Sequence, residues 1–151
     1  MKAQRMLVAL ELLSADSSEA VDLTATFLHR PGATVHLLHV TSPRSSMAGI
    51  VPGADDADPD VVEQARALVM LEHFAGTLRV AGIDDVSIFA VPGQPADEIL
   101  RHAHEHDIEL IVMGTHGRTG MSRLLIGSVT ASVMKRATCV VVTVHAPVAT
   151  G

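Results

Sequence analysis

The stretch MGTHGRTGMSRLLIGSVT, residues 113–130, lies between a short apolar run and a helical pattern. It contains four glycines in eighteen positions and no acidic side chain. Gly114 and Gly117 would let the backbone turn freely or approach a ligand closely, because glycine has no Cβ. Gly127 and Ser128 stand at the start of the helical pattern, where free N–H groups and the helix dipole favour phosphate. The stretch therefore predicts an anion site between a strand and a helix.

Charge is unevenly distributed around this stretch. The chain of 151 residues has a formal net charge of −6, and all 17 Asp and Glu residues lie at or before Glu109. Beyond Glu109 the charged side chains are those of Arg118, Arg123, Lys135 and Arg136. An anion would find this C-terminal region the least repulsive part of the protein, whereas the overall acidity argues against nucleic acid as the main partner.

The composition is that of one globular domain, residues 1–151, with a core of aliphatic side chains. Apolar residues make up 48% of the chain, and there is no Trp or Tyr. A single cysteine, Cys139, excludes an intramolecular disulfide and fits a reducing compartment. No apolar stretch approaches the roughly 18 residues of a membrane span, so we expect a cytoplasmic protein without a membrane partner.

Short apolar runs alternate with longer helical patterns along the whole chain. The first helix is predicted to begin at a capping box, with Asp16 as N-cap and Glu19 three residues later. The runs predict strands at 6–10, 34–40, 86–91, 109–114 and 139–145. The patterns predict helices from Asp16 to Pro31-Gly32, from Asp58-Pro59 to Gly82, from Pro95 to about His106, and from Ser128 to Arg136.

Residues 41–57 have no usable periodicity and are rich in turn-forming residues. A loop of this length inside a compact domain is usually a functional cover or is disordered. We therefore expect a long, mobile loop between the second strand and the second helix.

The strands are near-continuous apolar runs, which is typical of strands covered by helices on both faces. Repeated strand–helix order with right-handed crossovers predicts an α/β fold with a doubly wound parallel sheet. Ligands of such sheets bind beyond the carboxyl ends of the strands, where the strand order reverses. Gly114 follows strand four and Glu11 follows strand one, so both would face one crevice if those strands are neighbours.

Two well-known phosphate motifs are absent from the sequence. No segment ends in the Gly-Lys-Ser/Thr of a P-loop, and strand one is not followed by G-x-G-x-x-G. Ordinary P-loop and dinucleotide-binding proteins are thereby disfavoured. At the anion site, Ser128 could add its hydroxyl, and Arg118 or Arg123 could neutralise charge.

The spacing Gly114-x2-Gly117-x9-Gly127-Ser128 resembles the G-2x-G-9x-G-(S/T) signature of ATP-binding universal stress proteins. The segments 93–100 (GQPADEIL), 109–120 (ELIVMGTHGRTG) and 127–129 (GSV) also resemble segments of that family. The resemblance implies a Rossmann-like five-stranded sheet in the order 3-2-1-4-5. It further implies ATP, with Mg²⁺ or Mn²⁺ held by the phosphates, and a homodimer formed through strand 139–145.

The same resemblance implies a set of binding residues. Ala9, Glu11 and Val40 would contact adenine, although the family usually has Asp where Glu11 stands. Ribose and phosphates would be wrapped by Met113, Gly114, His116 and Gly117. The phosphates would be bound by Gly127, Ser128, Val129 and Thr130.

Other chemical candidates are weaker. His102 and His106 are one helical turn apart, but a closed zinc site needs four ligands, and histidines near a helix C-terminus also complement its dipole. Cys139 has no neighbouring motif for nucleophilic work and is interpreted as a core residue. We therefore expect no metal site on the protein itself and no catalytic residue.

Three functions remain open from the sequence. The leading hypothesis is a stress-response module in which bound ATP biases dimer shape or the choice of an unknown protein partner. The second is a slow ATP hydrolase, which would need a base near the γ-phosphate, whereas no Asp or Glu follows Glu109. The third is an interaction protein that keeps the fold without nucleotide.

Overall fold

The five strands form one parallel sheet in the order β3-β2-β1-β4-β5. The computed structural model describes residues 4–12, 14–42, 58–115 and 126–146. The strands are β1 (Arg5–Ala9), β2 (Thr34–Thr41), β3 (Asp85–Pro92), β4 (Leu110–Gly114) and β5 (Val140–Val144). Each agrees with its predicted run to within one or two residues, and the expected strand order is confirmed.

Helices cover both faces of the sheet. They are α1 (Ala15–Leu23), α2 (Pro59–Val80), α3 (Pro95–Glu105) and α4 (Ser128–Arg136). The predicted start of α2 is confirmed, with Asp58 as N-cap accepting from the Asp60 N–H at 3.0 Å. Beyond its end, Gly82 takes a positive φ of 98°, a conformation that closes helices readily because glycine has no Cβ.

The predicted cap of the first helix was wrong by two residues. Ser14, not Asp16, is the N-cap, and its hydroxyl accepts from the Asp16 N–H at 3.2 Å. Serine and aspartate are both good N-caps, so the local sequence could not separate them. Asp16 instead lies in the first turn, and its side chain is buried.

The first helix also ends earlier than the predicted Pro31-Gly32. After Leu23 it continues as a π-helical segment, Thr24–Leu28. The Thr24 hydroxyl donates to the Ala20 carbonyl at 2.8 Å, an oxygen that also accepts from the Thr24 N–H. Such side-chain bonding competes with the regular ladder and is found where helices loosen.

The core consists of two apolar layers, one on each side of the sheet. Alternate residues of a strand point to opposite faces, so Met6 and Val8 of β1 belong to the layer under α1 and α2. Leu7 and Ala9 belong to the layer under α3 and α4. Burial on both faces explains why the central strands are continuous apolar runs.

The strand order reverses at β1, which lies between β2 and β4. Ala9, the last residue of β1, is in register with Leu38 of β2 and Met113 of β4. The carboxyl ends of these strands therefore meet at one place, which is where ligands bind in open α/β sheets.

Among the described residues, no helix is long and apolar enough to cross a lipid bilayer. Residues 43–57, which make up most of the predicted loop, lie outside the described part of the chain.

Candidate functional site

A cleft opens at the carboxyl ends of β1, β2 and β4, beside the start of α4. Nine of the eleven residues predicted to bind nucleotide line it: Ala9, Glu11, Val40, Met113, Gly114, Gly127, Ser128, Val129 and Thr130. The other two, His116 and Gly117, lie outside the described residues, as do Arg118 and Arg123. Residues far apart in the sequence are thus brought to one cleft.

One side of the cleft is apolar. Ala9 and Met113 supply the ends of β1 and β4, Leu38 and Val40 supply β2, and Ile99 projects from α3. The cavity has a volume of about 160 Å³. An apolar cavity of about 150 Å³ can hold a benzene ring, so the apolar side of the cleft has room for one flat ring system.

The start of α4 forms the other side of the cleft. Gly127 is the N-cap and offers no capping side chain to the helix. The first N–H groups of a helix have no partner within the helix, and here they belong to residues that line the cleft. Together with the helix dipole, they make this end of α4 suitable for an anion.

Two hydrogen bonds fasten the start of α4 to the end of β4. The Gly127 N–H donates to the Thr115 carbonyl at 2.7 Å. The Thr130 hydroxyl donates to the Gly114 carbonyl, also at 2.7 Å. These bonds fix the helix start relative to the sheet edge, so the donor groups are positioned before any ligand arrives.

Gly114 has a packing role that its place in the signature does not predict. It is not among the described glycines that adopt a positive φ. A Cβ at this position would lie 2.6 Å from the Cβ of Asp16, which is closer than real side chains approach. The glycine is therefore required for the packing of α1 against β4, whether or not a ligand is bound.

Asp16 is a cleft residue that was not among those predicted to bind the ligand. It lines the cleft and is only 7% exposed. Its Oδ1 accepts from the Ala146 N–H at 2.6 Å, and its Oδ2 is 3.5 Å from the Thr115 hydroxyl. The sequence signal at Asp16 is an acidic residue in a first helical turn, and that signal was interpreted as a cap.

The turn after β1 is closed by its own backbone. The Glu11 carbonyl accepts from the Ser17 hydroxyl at 2.6 Å and from the Ser14 N–H at 2.9 Å. This places both Glu11 and Ser17 in the cleft wall. Nearby, His39 joins the wall with its Nδ1 2.8 Å from the Leu10 carbonyl oxygen.

The described wall of the cleft is acidic. It includes the carboxylates of Glu11 and Asp16 and no Lys or Arg among the described lining residues. Carboxylates repel phosphate, so an anionic ligand here needs positive charge from a bound cation or from elsewhere in the chain. Arg118 and Arg123 are the nearest sequence candidates.

Cys139 precedes β5 and packs, half-buried, against the apolar layer under α3 and α4. Burial raises the pKa of its thiol, which disfavours the reactive thiolate. This agrees with its interpretation as a core residue.

Comparison with known proteins relates the sequence of this chain to a protein family. The sequence model of the universal stress protein family matches residues 2–145. The universal stress protein YxiE of Bacillus subtilis is 32% identical over 147 residues, covering 93% of this chain and 98% of YxiE.

Solved structures share the fold. The structure of MJ0577, a universal stress protein of Methanocaldococcus jannaschii, has a TM-score of 0.78 at 26% identity, covering 99% of this chain and 100% of that chain. A universal stress protein in complex with cAMP has a TM-score of 0.71 at 24% identity, covering 95% and 98%. These likenesses show that the chain shares the fold of these proteins.

Proposed function

The chain belongs to the universal stress protein family, and on that basis we propose that it is a regulatory module that binds ATP in the cleft beside α4. The observation that carries this proposal is the convergence, on one cleft at the switch point of the sheet, of nine residues that the family resemblance implies bind nucleotide. A structural neighbour in complex with cAMP supports an adenine nucleotide as the ligand class.

The apolar side of the cleft suits the base. Ala9, Val40 and Met113 provide flat aliphatic contacts at the ends of three adjacent strands. Glu11 also lines the cleft, and its carboxylate can accept from the exocyclic amine of adenine.

The start of α4 suits the phosphates. The N–H groups of Ser128, Val129 and Thr130 and the Ser128 hydroxyl can all donate toward an anion. Mg²⁺ or Mn²⁺ held by the phosphates would neutralise charge against Glu11 and Asp16. Arg118 and Arg123 would add to that neutralisation.

The regulatory part of the proposal concerns assembly. ATP occupies a cleft whose wall includes β4 and α4, and β5 lies directly beside β4 at the edge of the sheet. We infer that the protein is a cytoplasmic homodimer joined through β5. Bound ATP would alter the shape of that dimer or its choice of protein partner.

Slow ATP hydrolysis is the second candidate, and Asp16 is the observation that favours it. A buried carboxylate lines the same cleft as the start of α4, although no Asp or Glu follows Glu109 in the sequence. Both of its oxygens already face donors, Ala146 N–H and the Thr115 hydroxyl. An engaged carboxylate is a poor general base, so binding without rapid turnover remains the leading proposal.

Calorimetry with Mg-ATP tests the binding site. Ser128→Asp adds a negative charge where the phosphates would lie, and Gly127→Val adds bulk at the N-cap. We expect each variant to lower ATP affinity at least tenfold, about 1.4 kcal/mol. An aspartate in the first turn favours the helix, so loss of binding in Ser128→Asp would not reflect loss of α4.

Ser132→Asp is the matched control, because it adds the same charge to the same helix at a residue outside the cleft. It should bind ATP with nearly wild-type affinity. Equal affinity in the wild type, Gly127→Val and Ser128→Asp would reject this site. No ATP binding by the wild type would favour an interaction protein that keeps the fold without nucleotide.

A further inference from the structure

Three histidines meet on the face of the sheet that α3 covers. His36 projects from β2, while His102 and His106 lie one turn apart at the end of α3. The ring centroids are separated by 5.1 Å for His36–His102, 4.9 Å for His36–His106 and 4.1 Å for His102–His106. This histidine cluster comprises His36, His102 and His106, and none of the three lines the ATP cleft.

The spacing of the ring nitrogens suits a metal ion. Nδ1 of His36 lies 2.9 Å from Nε2 of His102. Each of the three rings offers one nitrogen, and these three atoms lie within 4.8 Å of one another. Two nitrogens bound to a tetrahedral zinc at about 2.0–2.1 Å are about 3.3 Å apart, so small ring rotations would bring all three to one ion.

The surroundings favour the form of histidine that binds metals. Burial and the neighbouring rings lower the pKa of His102 to about 4. Burial and His106 also lower the pKa of His36, while Asp85 opposes this shift. Neutral imidazole has a free nitrogen lone pair, which is the metal ligand.

The rings are also confined. Phe89 of β3 packs against the cluster, with ring centroids 5.0 Å from His36, 4.6 Å from His102 and 5.8 Å from His106. His102 is 8% exposed, so its ring has little freedom to leave the cluster. Ligands that are already close and restricted lose less conformational entropy when a metal binds.

We propose that His36, His102 and His106 bind one divalent transition metal ion of the kind that prefers imidazole, with Zn²⁺ as the first ion to test. Binding requires the facing nitrogens of His36 and His102 to be unprotonated, so the other nitrogen of each ring holds its proton. Three protein ligands leave a fourth position for water or a small ligand, which is the composition of an open zinc site.

The histidine cluster lies between β2 and the end of α3, so a bound ion would join these two elements. His36 belongs to β2, whereas His102 lies in α3 and His106 is the C-cap of that helix, so the ion would fasten this helix to the sheet. Nearer its N-terminus, α3 contributes Pro95 and Ile99 to the ATP cleft. The metal site and the proposed nucleotide site thus share no lining residue, although both are built on the same helix.

The sequence disfavours a metal at His102 and His106 because it does not make further ligands evident. His36 lies 66 residues before His102, and nothing in its local sequence marks it as a partner. Its side chain reaches α3 because even-numbered residues of β2, among them Leu38 and Val40, face the layer under α3 and α4.

The experiment uses the full chain, stripped with a chelator, dialysed and titrated with ZnCl₂ in a calorimeter. We expect saturable binding of one ion per chain and a rise in the melting temperature. His36→Gln and His106→Gln should each weaken Zn²⁺ binding at least tenfold, with circular dichroism reporting that the fold is retained. Glutamine preserves much of the side-chain volume and a polar end while removing the imidazole.

His104→Gln is the matched control, because His104 lies on the same helix, is exposed and is outside the cluster. It should bind Zn²⁺ with wild-type affinity. The proposal would be overturned by a wild type that shows no saturable binding. It would equally be overturned if His36→Gln and His106→Gln bound Zn²⁺ as tightly as His104→Gln.

Discussion

At Gly114 the backbone of β4 and the first turn of α1 approach so closely that a side chain has no room. The atom that occupies this space is the Cβ of Asp16. Because a Cβ is bonded directly to the backbone, it cannot move aside by a change of side-chain rotamer. The Thr130 hydroxyl binds the carbonyl of the same glycine. Gly114 therefore links α1, β4 and α4, and its substitution should change the stability of the fold as well as the cleft.

We expect Gly114→Ala to lower the free energy of unfolding by about 1–3 kcal/mol, because the added methyl overpacks a tight contact. Urea denaturation without nucleotide measures this change. Gly76→Ala is the control, since a Cβ there meets open space within α2. It should raise stability by up to about 1 kcal/mol. Unchanged stability in Gly114→Ala would contradict the packing role.

At the scale of elements, the two edge strands of the sheet differ. β3 begins with Asp85 and ends with Pro92, and a charge and a proline both discourage pairing with another strand. β5 has the sequence VVVTV without charge or proline, and Val140 is 64% exposed. Among the described strands β5 pairs only with β4, and an apolar edge of this kind favours association, so β5 is the better candidate for a dimer edge.

We expect the wild type to be a dimer at micromolar concentration and Val140→Lys to shift it toward monomer. The lysine places a charge on the exposed edge, and its position outside the buried core spares the fold. Light scattering coupled to gel filtration measures the mass. Val69→Lys, on an exposed face of α2, is the control and should remain dimeric. A monomeric wild type would refute the β5 interface.

At the scale of the whole molecule, the site depends on contacts between the two ends of the chain. Asp16 and Ala146 are 130 residues apart, yet their hydrogen bond of 2.6 Å joins the first helix to the segment after β5. The Thr115 N–H donates to the Val144 carbonyl at 2.8 Å in the same region. The one buried carboxylate among the described cleft residues is thereby engaged in holding the fold together.

This engagement leads us to expect ATP turnover well below the roughly 1–100 s⁻¹ of kinases. Binding groups that stabilise ground state and transition state equally do not raise kcat. Product formation by purified protein in Mg-ATP measures the rate. Turnover within the kinase range, lost in Asp16→Asn or His116→Ala while ATP affinity is retained, would instead make the protein an enzyme.

The sequence by itself determined the elements and their class. Continuous apolar runs such as 139–145 and start signals such as Asp58-Pro59 predict strands and helices within a residue or two. These signals are local. A strand buried on both faces is a continuous apolar run, and a helix cap bonds to N–H groups only two or three residues away. The spaced glycine signature predicted where on the sheet the cleft would form, and it led to the strand order through the family resemblance.

Only the tertiary structure decided which side chains from distant elements meet. It placed Asp16 against Gly114, and it brought His36 to His102 and His106. Neither contact leaves a local pattern, because each depends on the register of the strands and on the faces that the helices cover. Because Ser14 is the N-cap of α1, Asp16 lies in the first turn, where it meets Gly114. Because His36 shares a strand face with Leu38, it lies on the side of the sheet that α3 covers.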